Sequence, residues 1–142
     1  MPQMMPRTYL QGLRMGINDE IADARTYEYM ASIAPNPVIA QRIQYISNDE
    51  ATHSVILTNL LTAAGSGSHH EATDAESMHH REFWNMVQDA YEDEVNAVMF
   101  YAHLSLMAPS LAVAARIRDI MRDEMVHAEF FNTLLMTRQP TV

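Results

Sequence analysis

The sequence predicts an all-α protein, a four-helix bundle built from two repeated helical hairpins, and three observations lead there. Apolar residues recur at alternating spacings of three and four through most of the 142-residue chain, the pattern of amphipathic helices at bundle spacing. Proline breaks that pattern at two matched places, APNP at 34–37 and APS at 108–110, and connections this short make antiparallel neighbours. Finally, residues 19–61 fall on residues 93–135 when shifted by 74 positions without a gap, so one half of the chain repeats the other.

Each element follows from its apolar stripe. The first helix, about 7–34, carries Leu10, Leu13, Ile17, Glu20, Ala24, Tyr27, Ala31 and Ala34. The second, about 37–64, carries Ile39, Ile43, Ile46, Glu50, His53, Leu57 and Leu60. The third, about 76–108, carries Trp84, Val87, Tyr91, Glu94, Val98, Tyr101, Ser105 and Ala108, its start read from a capping box, Thr73-x-x-Glu76. The fourth, about 110–137, carries Val113, Ile117, Ile120, Glu124, His127, Phe131 and Leu134. Only four glycines occur, and two lie in AAGSGSHHEATDAE, the one clear break in helical pattern. The expected organisation is a single domain over 1–142, with one hairpin at about 7–64, a linker at about 65–75 and a second hairpin at about 76–137.

Composition excludes several classes of function. With no cysteine there is no disulfide framework and no thiolate metal site, so any metal must be held by oxygen and nitrogen. A net charge of −9 argues against a nucleic-acid partner bound through a basic stripe. There is no signal-peptide pattern at MPQMMPRTYL and no apolar run near the roughly 18 residues that span a bilayer, which predicts a soluble, cytoplasmic protein with no membrane partner. The 12 methionines read as flexible core filler. No Gly-rich phosphate loop, G-x-S-x-G elbow or cysteine nucleophile offers a competing chemistry.

The polar members of the stripes carry the chemistry. NDEATH at 48–53 and RDEMVH at 122–127 each place Glu-x-x-His on a core-facing stripe, as Glu50 with His53 and Glu124 with His127. Residues three apart on a helix project from one face. Glu20 and Glu94, 30 residues upstream of each pair, add one inward carboxylate apiece. Four buried carboxylates left alone would repel and incur several kcal/mol of desolvation each. Two divalent cations balance four carboxylates and two neutral imidazoles, and this is the donor inventory of di-iron and di-manganese carboxylate bundles. One Glu-x-x-His alone would read as solvated Glu and a satisfied core His; two copies in a repeat, each with a matched upstream Glu, read as a metal site.

Neighbouring residues have candidate supporting roles. A metal-bound imidazole usually donates its other N–H to a carboxylate or carbonyl, so Asp123 is expected to orient His53 and Asp49 to orient His127 across the pseudo-twofold axis; the plain alternative is surface aspartates. Tyr27 and Tyr101 follow Glu20 and Glu94 by seven residues, placed to hydrogen-bond a ligand carboxylate or quench a radical, or else to serve as core aromatics with a wet tip. His69, His70, His79 and His80 surround the linker and read as solvated loop histidines.

The six-ligand pattern, the paired tyrosines and the spacing resemble the ferritin-like superfamily, most closely its rubrerythrin (erythrin) branch, over about Arg7 to Met136. The resemblance implies a ferritin-like bundle, a centre of two iron ions and reduction of hydrogen peroxide to water, with Glu20, Glu50, His53, Glu94, Glu124 and His127 as ligands and Glu50 and Glu124 as bridges. Two departures stand out. The four-cysteine rubredoxin module common in the family is missing, so electrons would come from an external donor such as a rubredoxin or a reductase. The family's extra Glu, three residues after the helix-3 ligand, is Ala97 here, and the repeat-related Asp23 on the first helix is the candidate replacement carboxylate.

In such bundles the second and third helices run parallel, and a linker of 65–73 reaches only about 30 Å, short of the roughly 46 Å that helices of the expected lengths would require. Either the third helix starts later, near His80, or hairpins pair between chains, so a homodimer is expected, with hairpin exchange as one way to build it. Peroxide reduction leads the functional readings, with O2 as second oxidant. A ferroxidase or iron-sequestering protein, a di-manganese catalase, an oxygenase with an organic substrate and a metal-free structural bundle are the alternatives.

Overall fold

The computed structural model describes residues 4–67 and 81–138. Four helices make up the regular structure of those residues: α1 (Tyr9–Ser32), α2 (Pro37–Ala63), α3 (Phe83–Leu106) and α4 (Leu111–Thr137). The expected all-α, four-helix chain is what is observed. None of these helices is long and apolar enough to cross a membrane.

The repeat is visible in the backbone, since the 74-residue shift carries both ends of α1 onto those of α3 and both ends of α2 onto those of α4. Local chemistry sets these ends. Thr8 caps α1 by accepting from the Gln11 amide. Asn36 and Ser110, also 74 positions apart, cap α2 and α4 by accepting from Ile39 and Val113. Pro37 follows at the first position of α2, where its missing N–H costs nothing. Beyond α2, Gly65 takes a left-handed φ of 81°, and the Gly65 and Ser66 amides return to the carbonyls of Thr62 and Leu61. Those two bonds form a Schellman motif.

The third helix begins later than a capping box at Thr73 implies. That box lies outside the described residues, but Arg81 and Glu82 are non-helical and the Glu82 carboxylate caps α3, accepting from the Trp84 and Asn85 amides. A helix running on from residue 76 is therefore corrected to one starting at Phe83. A late start of the third helix is one of the two alternatives that the linker length left open.

The chain divides into two units, one containing α1 and α2, the other α3 and α4. In the first, Leu13, Ile17, Tyr27 and Met30 of α1 and Ile43, Leu57 and Leu61 of α2 are buried. Arg14 donates from Nη2 to Ser66 Oγ, tying α1 to the segment after α2. In the second, Met86, Val87, Phe100, Tyr101 and Leu104 of α3 and Ile117, Ile120 and Phe131 of α4 are buried. The Arg138 guanidinium lies 5.1 Å from the centre of the Trp84 ring, a cation–π contact at the open end of this hairpin.

Candidate metal centre

Each hairpin buries one triad of ionisable side chains at its mid-height. In the first, Glu20 comes from α1, and Glu50 and His53 from adjacent turns of α2. In the second, Glu94 comes from α3, and Glu124 and His127 from α4. None of the six is more than 3 % exposed. Helical periodicity explains the placement, because Glu50 and His53 share a face with Ile46 and Leu57, and Glu124 and His127 share one with Ile120 and Phe131, all of them buried.

The distances are those of groups that can share an ion. His53 Nδ1 lies 3.5 Å from Glu20 Oε2. His127 Nδ1 lies 3.7 Å from Glu94 Oε2 and 3.7 Å from Glu124 Oε1. Within each triad, one donor atom per residue lies within 4.8 Å of the others. Donors about 2.1 Å from a common cation stand about 3 to 4.2 Å apart, so small side-chain adjustments close either triad on an ion.

The donor set fits iron or manganese. Two carboxylates and one neutral imidazole per hairpin carry the charge that one divalent cation cancels, and oxygen and imidazole nitrogen suit both metals. Ile17, Ile43 and Leu57 in the first hairpin, and Val87, Ile117 and Phe131 in the second, are buried apolar neighbours along the same helices. Such walls keep an ion's surroundings dry and strengthen its hold on charged ligands.

The remaining candidates are distributed as follows. Tyr27 and Tyr101 are buried at 1 % and 2 % exposure, each two turns after the Glu of its own helix; the Tyr101 ring meets Phe100 edge to face at 5.1 Å. Asp49 and Asp123 precede Glu50 and Glu124 by one residue and are exposed, as the plain alternative of surface aspartates has them, while Asp23 and Ala97 are half-buried. His69, His70, His79 and His80 lie outside the described residues. Asp93, next to Glu94, is pushed up to about 6 by loss of solvent, then by the neighbouring charges of Asp89, Glu94 and Glu92, with Arg81 opposing. Acidic residues cluster along α3 from Asp89 to Glu94.

One polar residue near the first triad has no counterpart in the sequence reading. Ser47 is buried one turn before Glu50, and its Oγ donates 2.7 Å across to the Ala24 carbonyl, one turn after Glu20. A mid-helix serine commonly bonds within its own helix, as Thr52 and Thr58 do here, so nothing local announces the cross-helix bond.

The family model described as Rubrerythrin matches residues 12–134, which takes in all four helices and both triads. No curated protein and no solved structure matches the chain.

Proposed function

Because the chain belongs to the rubrerythrin family, we propose that it is a non-haem di-iron oxidoreductase that reduces hydrogen peroxide, with O2 as second oxidant and an external electron donor. The observation that carries this reading is the repeated triad of two buried carboxylates and one imidazole. Glu20, Glu50 and His53, with Glu94, Glu124 and His127, are its metal ligands. When bound, a pair of ferrous ions supplies the two electrons that turn hydrogen peroxide and two protons into two waters.

The side chains divide the remaining work. The carboxylates balance the charge of the ions, and buried aliphatic neighbours exclude bulk water. Tyr27 and Tyr101 offer phenolic O–H groups inside the two hairpins, as hydrogen-bond donors to a ligand carboxylate or as radical traps. Asp49 and Asp123 orient the imidazoles through the ring nitrogen that the metal leaves open. Asp23 replaces the carboxylate that Ala97 cannot provide. These 142 residues contain no cysteine, and a rubredoxin or a reductase delivers the electrons.

Elemental analysis of protein purified without chelator, then anaerobic reduction and separate rapid mixing with peroxide and O2, tests the reading. About two irons per chain, oxidised faster by peroxide than by O2, support it. Two manganese with oxygen evolved from peroxide would identify a catalase instead, and iron retained in oxidised multinuclear form would identify a ferroxidase. Loss of metal in Asp49→Ala or Asp123→Ala protein supports the orienting role; unchanged metal affinity and activity would remove it.

A further inference from the structure

The two triads are copies in their ligands but not in what braces them. In the first hairpin, Ser47 Oγ donates to the Ala24 carbonyl at 2.7 Å. This bond links α2, one turn before Glu50, to α1, one turn after Glu20, so it spans the hairpin beside the donors it could align. Ser47 is only 6 % exposed, and its bond is correspondingly shielded from competing water.

Carried through the 74-residue shift, Ser47 becomes Met121 and Ala24 becomes Val98. A thioether has no proton to donate, so the second hairpin cannot make the same tie. The neighbouring carboxylate position differs in the same sense, with Asp23 one turn after Glu20 and Ala97 one turn after Glu94. The first triad is thus braced by a hydrogen bond and has an extra acidic residue nearby. The second has a methionine and an alanine at those positions.

We propose that the two metal sites are unequal and that Ser47 is the positioning residue that makes the Glu20–Glu50–His53 site the tighter one. A triad already held in register loses less conformational freedom when it closes on an ion, and that saving appears as affinity. This inference rests on the metal-binding reading above and adds an order of filling to it.

The test uses Co(II), which suits oxygen and imidazole donors and reports its coordination by visible absorption, titrated into the metal-free full-length protein. The expected result is two Co(II) per chain in two resolved steps. Glu20→Gln removes the tighter step and Glu94→Gln the weaker. Ser47→Ala weakens the tighter step roughly five- to tenfold, the size of one lost hydrogen bond, and leaves the weaker step in place as an internal check that the protein is folded. Ser47→Thr, which keeps the hydroxyl, retains the wild-type order.

Two ions bound in a single indistinguishable step, or an Ser47→Ala effect on neither step or on both alike, would overturn the inference while leaving the metal-binding reading intact. No bound Co(II) in wild-type protein would overturn both.

Discussion

His53 Nδ1 stands 3.5 Å from Glu20 Oε2, an imidazole of α2 and a carboxylate of α1 brought together inside the first hairpin. The residues lie 33 positions apart in the sequence, and the antiparallel turn at 33–36 brings them level. A buried pair of this kind, with Glu50 beside it, is costly to desolvate, and a cation shared among the three would offset that cost.

Replacing Glu50, which has no exposed surface, by Gln separates the ligand role from the structural one. Metal content in the Glu50→Gln protein is expected to fall from about two ions per chain to one or fewer. The metal-free variant should be more stable than metal-free wild type by about 1–3 kcal/mol, since a buried charge has been removed without changing shape. Elemental analysis and thermal unfolding in chelator measure the two effects. A metal-free variant that is less stable than wild type would show that Glu50 supports the fold by itself.

Metal removal should destabilise the wild-type chain. A ligand present at a hundred times its dissociation constant adds about 2.7 kcal/mol to the folded state, which for a chain of this size is a shift in Tm on the order of 5–10 °C. Paired thermal scans with ferrous iron and with chelator, both without oxygen, give the comparison. Coincident transitions would mean that neither triad holds an ion in the folded state.

Asn36 and Ser110 have nearly the same backbone angles, φ −153° and ψ 161° against φ −151° and ψ 162°. Their side chains accept from Ile39 at 3.0 Å and from Val113 at 3.2 Å. Asn36→Ala and Ser110→Ala should each cost about 1 kcal/mol, and the double variant should lose close to the sum. Urea unfolding measures all three, and no loss from either change would mean that packing alone holds these helix ends.

Gly65, at φ 81°, lies where an L side chain strains the backbone, although nothing stands within 4 Å of an added Cβ. Gly65→Ala should therefore cost about 1–2 kcal/mol through conformation alone. Unfolding midpoints in urea check this, with Gly67→Ala, which likewise has open space around it and no positive φ, as control.

How much of this was legible in the sequence varies with the range of the forces involved. Period and proline were enough for four helices and the two tight turns, because a 3.6-residue repeat and a missing N–H act within a few residues. The six polar positions were legible for the same reason, since Glu20, Glu50 and His53 sit on the stripes of Ile17, Ile46 and Leu57. The stripes were too narrow, however. Met30, Leu61, Phe100 and Leu104 are buried beside them, while Val98 and Trp84 are only half-buried, because the width of a buried face depends on the neighbour packed against it.

What the sequence by itself determined is the duplication, the helices and the inventory of donors: all are properties of residue type and spacing. The start of α3 at Phe83 rests on a local cap, the Glu82 carboxylate, that the more conspicuous Thr73-x-x-Glu76 hid. Tertiary structure alone decided two things. Turning α1 against α2 and α3 against α4 set the His–Glu distances of 3.5 and 3.7 Å. Ser47 was directed to the carbonyl of the opposite helix rather than to its own. Both join residues distant along the chain, and which partner a polar group meets there is settled by packing, not by its neighbours in sequence.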